Sequence, residues 1–208
     1  MSSNLILSSY FNHNQSHFMD NFKQIRSLLH FKDVGDFYFI QLLARKKDNP
    51  TLASHEKLIK SYSVYSLDEY DKLEEHIKEL CDTHNARAYI RLNKRNSAHV
   101  ALKMISHLAD SIHSKQTNSL HKIYNSIVGQ YHSDENKTWL IDVDGDKTLC
   151  MEVVDYIGRT FKDITYVSII PTINGFHVIS KPFDPREFRK KFTEIDIHKD
   201  NPTLLFFK

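Results

Sequence analysis

The 208-residue sequence predicts an α+β protein, and three observations carry that reading. Apolar residues recur at helical spacing in some segments and alternate, or run continuously, in short segments between them. The last third reads β-α-β-β-α-β plus one further strand, the ferredoxin-like or RRM-like unit. Composition is that of a soluble globular chain, with 40% hydrophobic and 26% charged residues and only 5 Gly and 5 Pro. Two cysteines, Cys81 and Cys150, exclude a disulfide scaffold and a multi-cysteine zinc module, and point to a reducing, cytoplasmic setting. No stretch approaches the ~20 apolar residues of a membrane span. The start, MSSNLILSSYFNHN, lacks the basic region of a secretory signal. A net charge of +2 says little about partners.

Residues 1–135 read as an N-terminal α/β lobe. Phe18, Phe22, Ile25 and Leu29 predict a helix over 14–30. DFYFIQLLAR (36–45) is a buried strand closed by a basic turn, and YSVYS (62–66) is strand-like. Ser66-Leu-Asp-Glu69 is a capping box that opens a helix burying Leu67, Tyr70, Leu73, Ile77 and Leu80. ARAYIRL (86–92) alternates as a strand. Helices over 97–114 (Val100, Met104, Ile105, Leu108, Ile112) and 119–131 (Leu120, Ile123, Ile127, Tyr131) follow. The two cysteines fall on helices as core residues. HSDENK (132–137) is polar throughout and marks the boundary.

Residues 136–208 form the second lobe. TWLIDVD (138–144) is a strand, 147–161 a helix, and TYVSIIP (165–171) a strand. Ile173-Asn-Gly175 is a hairpin turn exploiting the positive φ that Asn-Gly tolerates. GFHVISK (175–181) returns as a strand. Asp184-Pro-Arg-Glu187 starts a short helix to about Phe192. EIDIH (194–198) and TLLFF (203–207) are the last strands.

Chemistry converges in this lobe. Its expected sheet order, 4-1-3-2, sets the first strand between the third and fourth. Side chains alternate along a strand. Trp139, Ile141, Val143, Phe176, Val178, Ile195 and Ile197 then cover the helices, while Asp142, Asp144, His177 and Asp196 share the other face. Three carboxylates on neighbouring strands repel unless a cation joins them, and hard oxygen ligands suit Mg²⁺ or Mn²⁺. Two such ions about 3.5–4 Å apart are a standard device for nucleotidyl transfer. A histidine beside them can bond a phosphate oxygen.

Leu140-Ile-Asp142-Val-Asp144, Asn174-Gly175-Phe176-His177 and Ile195-Asp196 together resemble the three motifs of the archaeo-eukaryotic primase superfamily: hydrophobic Asp-x-Asp, small-x-His and a late hydrophobic-Asp. The resemblance spans about 60 residues, and the two-lobe layout extends it. It implies a small stand-alone primase or primase-polymerase, extending a primer on a single-stranded DNA template with NTPs or dNTPs. Asp142, Asp144 and Asp196 would hold two divalent ions, His177 would bind the triphosphate, and Gly175 would fill the small position. Gly stands where Ser is common, and neither a zinc element nor a helicase motif is present, so a helicase or replication partner would be a separate chain.

Lys181, just past the His strand, is a candidate triphosphate contact. Arg45, Lys46 and Lys47 close one strand, and Arg91, Lys94 and Arg95 another. If both strand ends border the cleft, they can hold nucleic-acid phosphates; otherwise they are solvated loops. Arg189-Lys190-Lys191 complements a helix dipole. Two other readings stand beside the enzyme. One is a nucleic-acid-binding module without catalysis. The other is an Asp142-nucleophile phosphohydrolase, suggested by Asp-Val-Asp-Gly but opposed by Asp146 where Thr is usual. A calcium loop is opposed by the glycine at its fourth position. Glu194, Asp200 and Asp184 are alternatives to Asp196 as third carboxylate.

Overall fold

A computed structural model describes residues 18–115, 122–130, 132, 137–161 and 166–208. The beginnings of the expected helices over 14–30 and 119–131, the end of the latter, most of the polar boundary run, and the first residue of the 165–171 strand lie outside the described residues. Among those described, the chain is a mixed α+β protein with two antiparallel sheets and six helices. None of these helices is long and apolar enough to cross a membrane.

The first sheet contains β1 (Met19–Asp20), β2 (Asp36–Arg45), β3 (Glu56–Val64), β4 (Arg87–Asn96) and β9 (Thr203–Phe207), in the order β1-β9-β4-β2-β3. Helices α1 (Phe22–Arg26) and α2 (Leu67–His84) pack with it around Tyr38, Ile40, Leu42, Ile77, Ile90 and Phe206. On the opposite side of β2, Phe37 and Phe39 meet Val100 of α3 (Ser97–His113) and Ile127 and Val128 of α4 (Ile123–Gln130). The expected 14–30 helix shortens to five residues, because Met19 and Asp20 pair with β9 instead. Strand β3 starts six residues before the expected 62, where Leu58 and Ile59 are adjacent rather than alternating and most side chains of this edge segment are exposed. Helix α3 forms as expected but buries only Val100, with Ile105 and Ile112 each 65% exposed.

The second sheet holds β5 (Trp139–Asp144), β6 (Tyr166–Pro171), β7 (Gly175–Ser180) and β8 (Asp196–His198), ordered β6-β7-β5-β8. In the unit's own numbering this is 2-3-1-4, the same neighbours as the expected 4-1-3-2. Helices α5 (Lys147–Thr160) and α6 (Pro185–Lys191) cover one face, packing Val153, Ile157 and Phe188 on Ile141, Val143, Phe176 and Val178. Asp146 caps α5 and Asp184 caps α6 through their carboxylates. The final strand departs from the expectation. β9, placed by the sequence in the 136–208 lobe, pairs with β4 and β1 of the first sheet.

The other face of the second sheet turns to the first. Its apolar part, Leu140, Ile170 and Ile179, enters the same core as Ile90 and Leu205. Asn21 donates to the carbonyls of Pro171 (3.0 Å) and Leu204 (2.9 Å). Asn93 donates to Thr138 O and Lys199 O and accepts from Thr138 N. These bonds join the two sheets and leave the polar end of their shared space open as a cleft.

Candidate functional site

The cleft has a volume of about 240 Å³. Asp142, Asp144 and His177 line one wall, Arg45, Lys47, Arg87 and Tyr89 the other, and Thr172–Asn174 and Leu204 close it.

Strand register builds the acidic wall. Asp142 pairs across with His177 on β7 and with Asp196 on β8. Residues directly opposite in an antiparallel pair share a face, with Cβ atoms about 5 Å apart. Asp142, His177 and Asp196 are therefore neighbours on one face, and Asp144 stands one step along it. Asp196 is exposed and lies outside the cleft lining. Two of the three rival carboxylates have cationic partners. Asp200 is paired with Arg95, and Asp184 with Arg186 at the start of α6.

His177 sits between the two sheets. Its Nδ1 lies 2.8 Å from the Thr203 hydroxyl of β9, and its Nε2 lies 3.4 Å from Asp142 Oδ1. The His177 contact, and beyond it the nearby His198, hold the Asp142 carboxyl below its ordinary pKa against the opposing effect of partial burial. Asp142 is thus an anion at neutral pH.

Asp144 pairs with Gly175. The expected hairpin joins β6 to β7, with Thr172 N–H donating to the Gly175 carbonyl at 2.8 Å, but neither Asn174 nor Gly175 takes the positive φ expected there. Glycine is required for a different reason. A Cβ at 175 would lie 2.0 Å from the Val143 carbonyl oxygen and 2.8 Å from Gly145 N, both backbone atoms that cannot swing aside. Gly175→Ala should force β7 from β5 and cost about 3 kcal/mol, lowering the melting temperature by roughly 6–12 °C. A thermal melt unchanged within a degree would refute this.

The basic wall is only partly the predicted one. Arg45 and Lys47 reach the cleft, whereas the exposed Lys46 does not line it. Among the described residues neither Arg45 nor Lys47 has a carboxylate within ion-pair distance. Arg45 donates to the Tyr89 hydroxyl at 3.2 Å. Desolvation, then the Arg87 and Arg45 charges, hold the Lys47 ammonium below its ordinary pKa, opposed by Asp48 and by Asp144 across the cleft. Arg87 is fixed by a two-pronged bond to Asp48 (2.6 and 2.7 Å) and stacks 4.6 Å from the Phe207 ring centre. Arg87 and Tyr89 escape the sequence reading, although the alternation of ARAYIR sets them on one face with Arg91.

Arg91, Lys94 and Arg95 are not a free phosphate-binding cluster. Lys94 pairs with Asp36 at 2.7 Å. Arg95 is fully buried, bonded to Val128 O (2.8 Å) and Asp200 (2.5 Å), and Arg91 donates to the Asp200 carbonyl. These charges organise the interior. Lys181 also falls away from the cleft. It follows Ser180, which pairs with Trp139 at the end of β5 remote from Asp144. It lies four positions beyond His177, roughly 13 Å along the strand direction.

The donor set suits a hard divalent cation. Among the described residues no three His, Cys, Asp or Glu side chains already form a metal cage. Mg²⁺ is commonly held by only one or two carboxylates together with water and substrate phosphate, and Asp142, Asp144 and Asp196 are the carboxylates on this face that would serve. Comparison of the chain with protein-family models, curated proteins and solved structures finds no match.

Proposed function

We propose that the cleft performs metal-dependent nucleotidyl transfer, as a small primase or primase-polymerase extending a primer on single-stranded DNA, with the second sheet and its two helices serving as an RRM-like catalytic lobe. The observation that carries this reading is one cleft with Asp142, Asp144 and His177 on one wall and Arg45, Lys47 and Arg87 on the other. A nucleoside triphosphate with its divalent ions complements both walls. Asp142, Asp144 and Asp196 would hold the ions, which when bound activate the attacking hydroxyl and neutralise the departing pyrophosphate. Arg45 and Lys47 supply unpaired positive charge for phosphate oxygens, and His177 supplies a neighbouring polar group. Order along the chain supports the reading, since Asp-x-Asp, Gly-x-His and the late Asp meet on one sheet face.

The basic wall alone also fits a catalytically silent nucleic-acid-binding module. Incorporation of labelled NTPs and dNTPs on a template, with and without primer, in Mg²⁺ and in Mn²⁺, separates the two. Metal-dependent extension supports transfer. Template binding without extension, by folded protein under either metal, supports the module. Lys47→Ala and Arg45→Ala should each raise KM for the nucleotide about tenfold, the loss of one charge-assisted bond. Melting should stay nearly constant for Lys47→Ala, because an exposed side chain without an ion pair contributes little to folding. An unchanged KM for both variants would place the phosphates elsewhere.

A further inference from the structure

Thr203 is fully buried, yet it opens an apolar strand of the first sheet, and its one side-chain hydrogen bond among the described residues crosses to the second. We propose that the Thr203 hydroxyl fixes His177 as an Nε2–H tautomer, making the ring a hydrogen-bond donor to the cleft and Thr203 a positioning residue for that site.

A neutral imidazole carries one N–H and one lone pair. Its two nitrogens have different neighbours here: a hydroxyl 2.8 Å from Nδ1 and a carboxylate oxygen 3.4 Å from Nε2. A hydroxyl can donate or accept, whereas an ionised carboxylate only accepts. Were the proton on Nδ1, the Nε2 lone pair would face the Asp142 oxygen and repel it. With Thr203 O–H donating to Nδ1, the proton sits on Nε2 and both contacts are attractive. The hydrogen bond at one nitrogen thereby sets the chemistry of the other. The carboxylate favours a proton on Nε2, and the buried hydroxyl enforces the same choice, because His177 Nδ1 is the one side-chain partner among the described residues that can accept its proton.

The consequence is a choice among roles. An Nε2–H group suits an anionic oxygen, such as a phosphate oxygen. It offers no lone pair at Nε2 for a metal or for accepting a proton. Asp142 holds this donor in the free protein, and a phosphate oxygen entering the cleft would compete for it. The ligand class rests on the nucleotide reading above. The tautomer does not.

Long-range ¹H–¹⁵N spectra of the imidazole rings of the full chain test this, with the ring kept neutral and His177→Gln identifying the signals. The expected wild-type pattern has Nδ1 at the pyridine-type shift and Nε2 at the pyrrole-type shift. Thr203→Ser should preserve it, and Thr203→Val should move both signals toward an averaged position. A proton on Nδ1 in the wild type, or a Thr203→Val spectrum identical to the wild type, would overturn the proposal. Should Thr203→Val fail to fold, the wild-type pattern and its retention in Thr203→Ser decide. Inorganic triphosphate is the second probe, and its affinity should fall about tenfold in Thr203→Val. No triphosphate binding by a wild type with the Nε2–H pattern would sustain the Thr203 assignment and count against the nucleotide reading.

Discussion

Asp142→Asn should reduce nucleotide incorporation about a thousandfold or more while leaving the fold intact. Asparagine matches aspartate in size, and its carbonyl can still accept from His177 Nε2. It lacks the negative charge that makes the carboxylate a good ligand for a hard cation. Asp142 is the centre of the acidic wall, lying in the cleft with His177 and Asp196 directly across from it on either side. Its side chain is 37% exposed, so the substitution should shift melting by no more than roughly 2 °C. Steady-state incorporation in Mg²⁺, with a melt on the same sample, gives both numbers. Asp144→Asn should behave similarly. Asp196→Asn should lose less, because that carboxylate stands beside Asp142 but outside the cleft lining. Activity of Asp142→Asn within threefold of wild type would show that the carboxylate is not a ligand.

The largest stability effect should come from Asp200→Ala. Asp200 carries the charge that balances Arg95, whose guanidinium is completely buried. It also accepts from Asn93 at 3.0 Å, and its backbone carbonyl receives Arg91. Removing one partner of a buried ion pair leaves an uncompensated charge and costs about 3–5 kcal/mol. For a chain of this length that is roughly 6–20 °C in melting temperature. The damage should reach the cleft, because Asn93, Asp200 and Arg91 tie β4 to the segment between β8 and β9. Denaturant titration of Asp200→Ala against wild type measures the cost, and a loss under about 1 kcal/mol would show that Arg95 finds another partner.

Much of the second sheet is legible in the sequence, because its signals are local. Trp139, Ile141 and Val143 alternate with Asp142 and Asp144, Asp184-Pro marks a helix start, and strand phase together with the expected sheet order sets His177 beside Asp142. The cleft's other wall is less accessible. Whether Arg87 and Arg95 are free or paired depends on Asp48 and Asp200, neither of which their local patterns reveal. Lys181 is close to His177 in sequence, but strand direction carries it away. The segment Thr203–Phe207 reads locally as a strand of the nearest sheet, whereas it pairs with β4 and β1 of the first. That long-range pairing brings Thr203 to His177. Gly175 is legible as a required glycine, but for a turn conformation that the structure replaces with backbone crowding.

The most direct measurement of the central claim is anomalous diffraction from crystals grown with Mn²⁺ and a non-hydrolysable nucleoside triphosphate. The account predicts manganese bonded to the Asp142 and Asp144 carboxylates, with the triphosphate extending toward Arg45 and Lys47. An ordered nucleotide outside the cleft, or manganese bound away from Asp142 with the nucleotide in place, would contradict it.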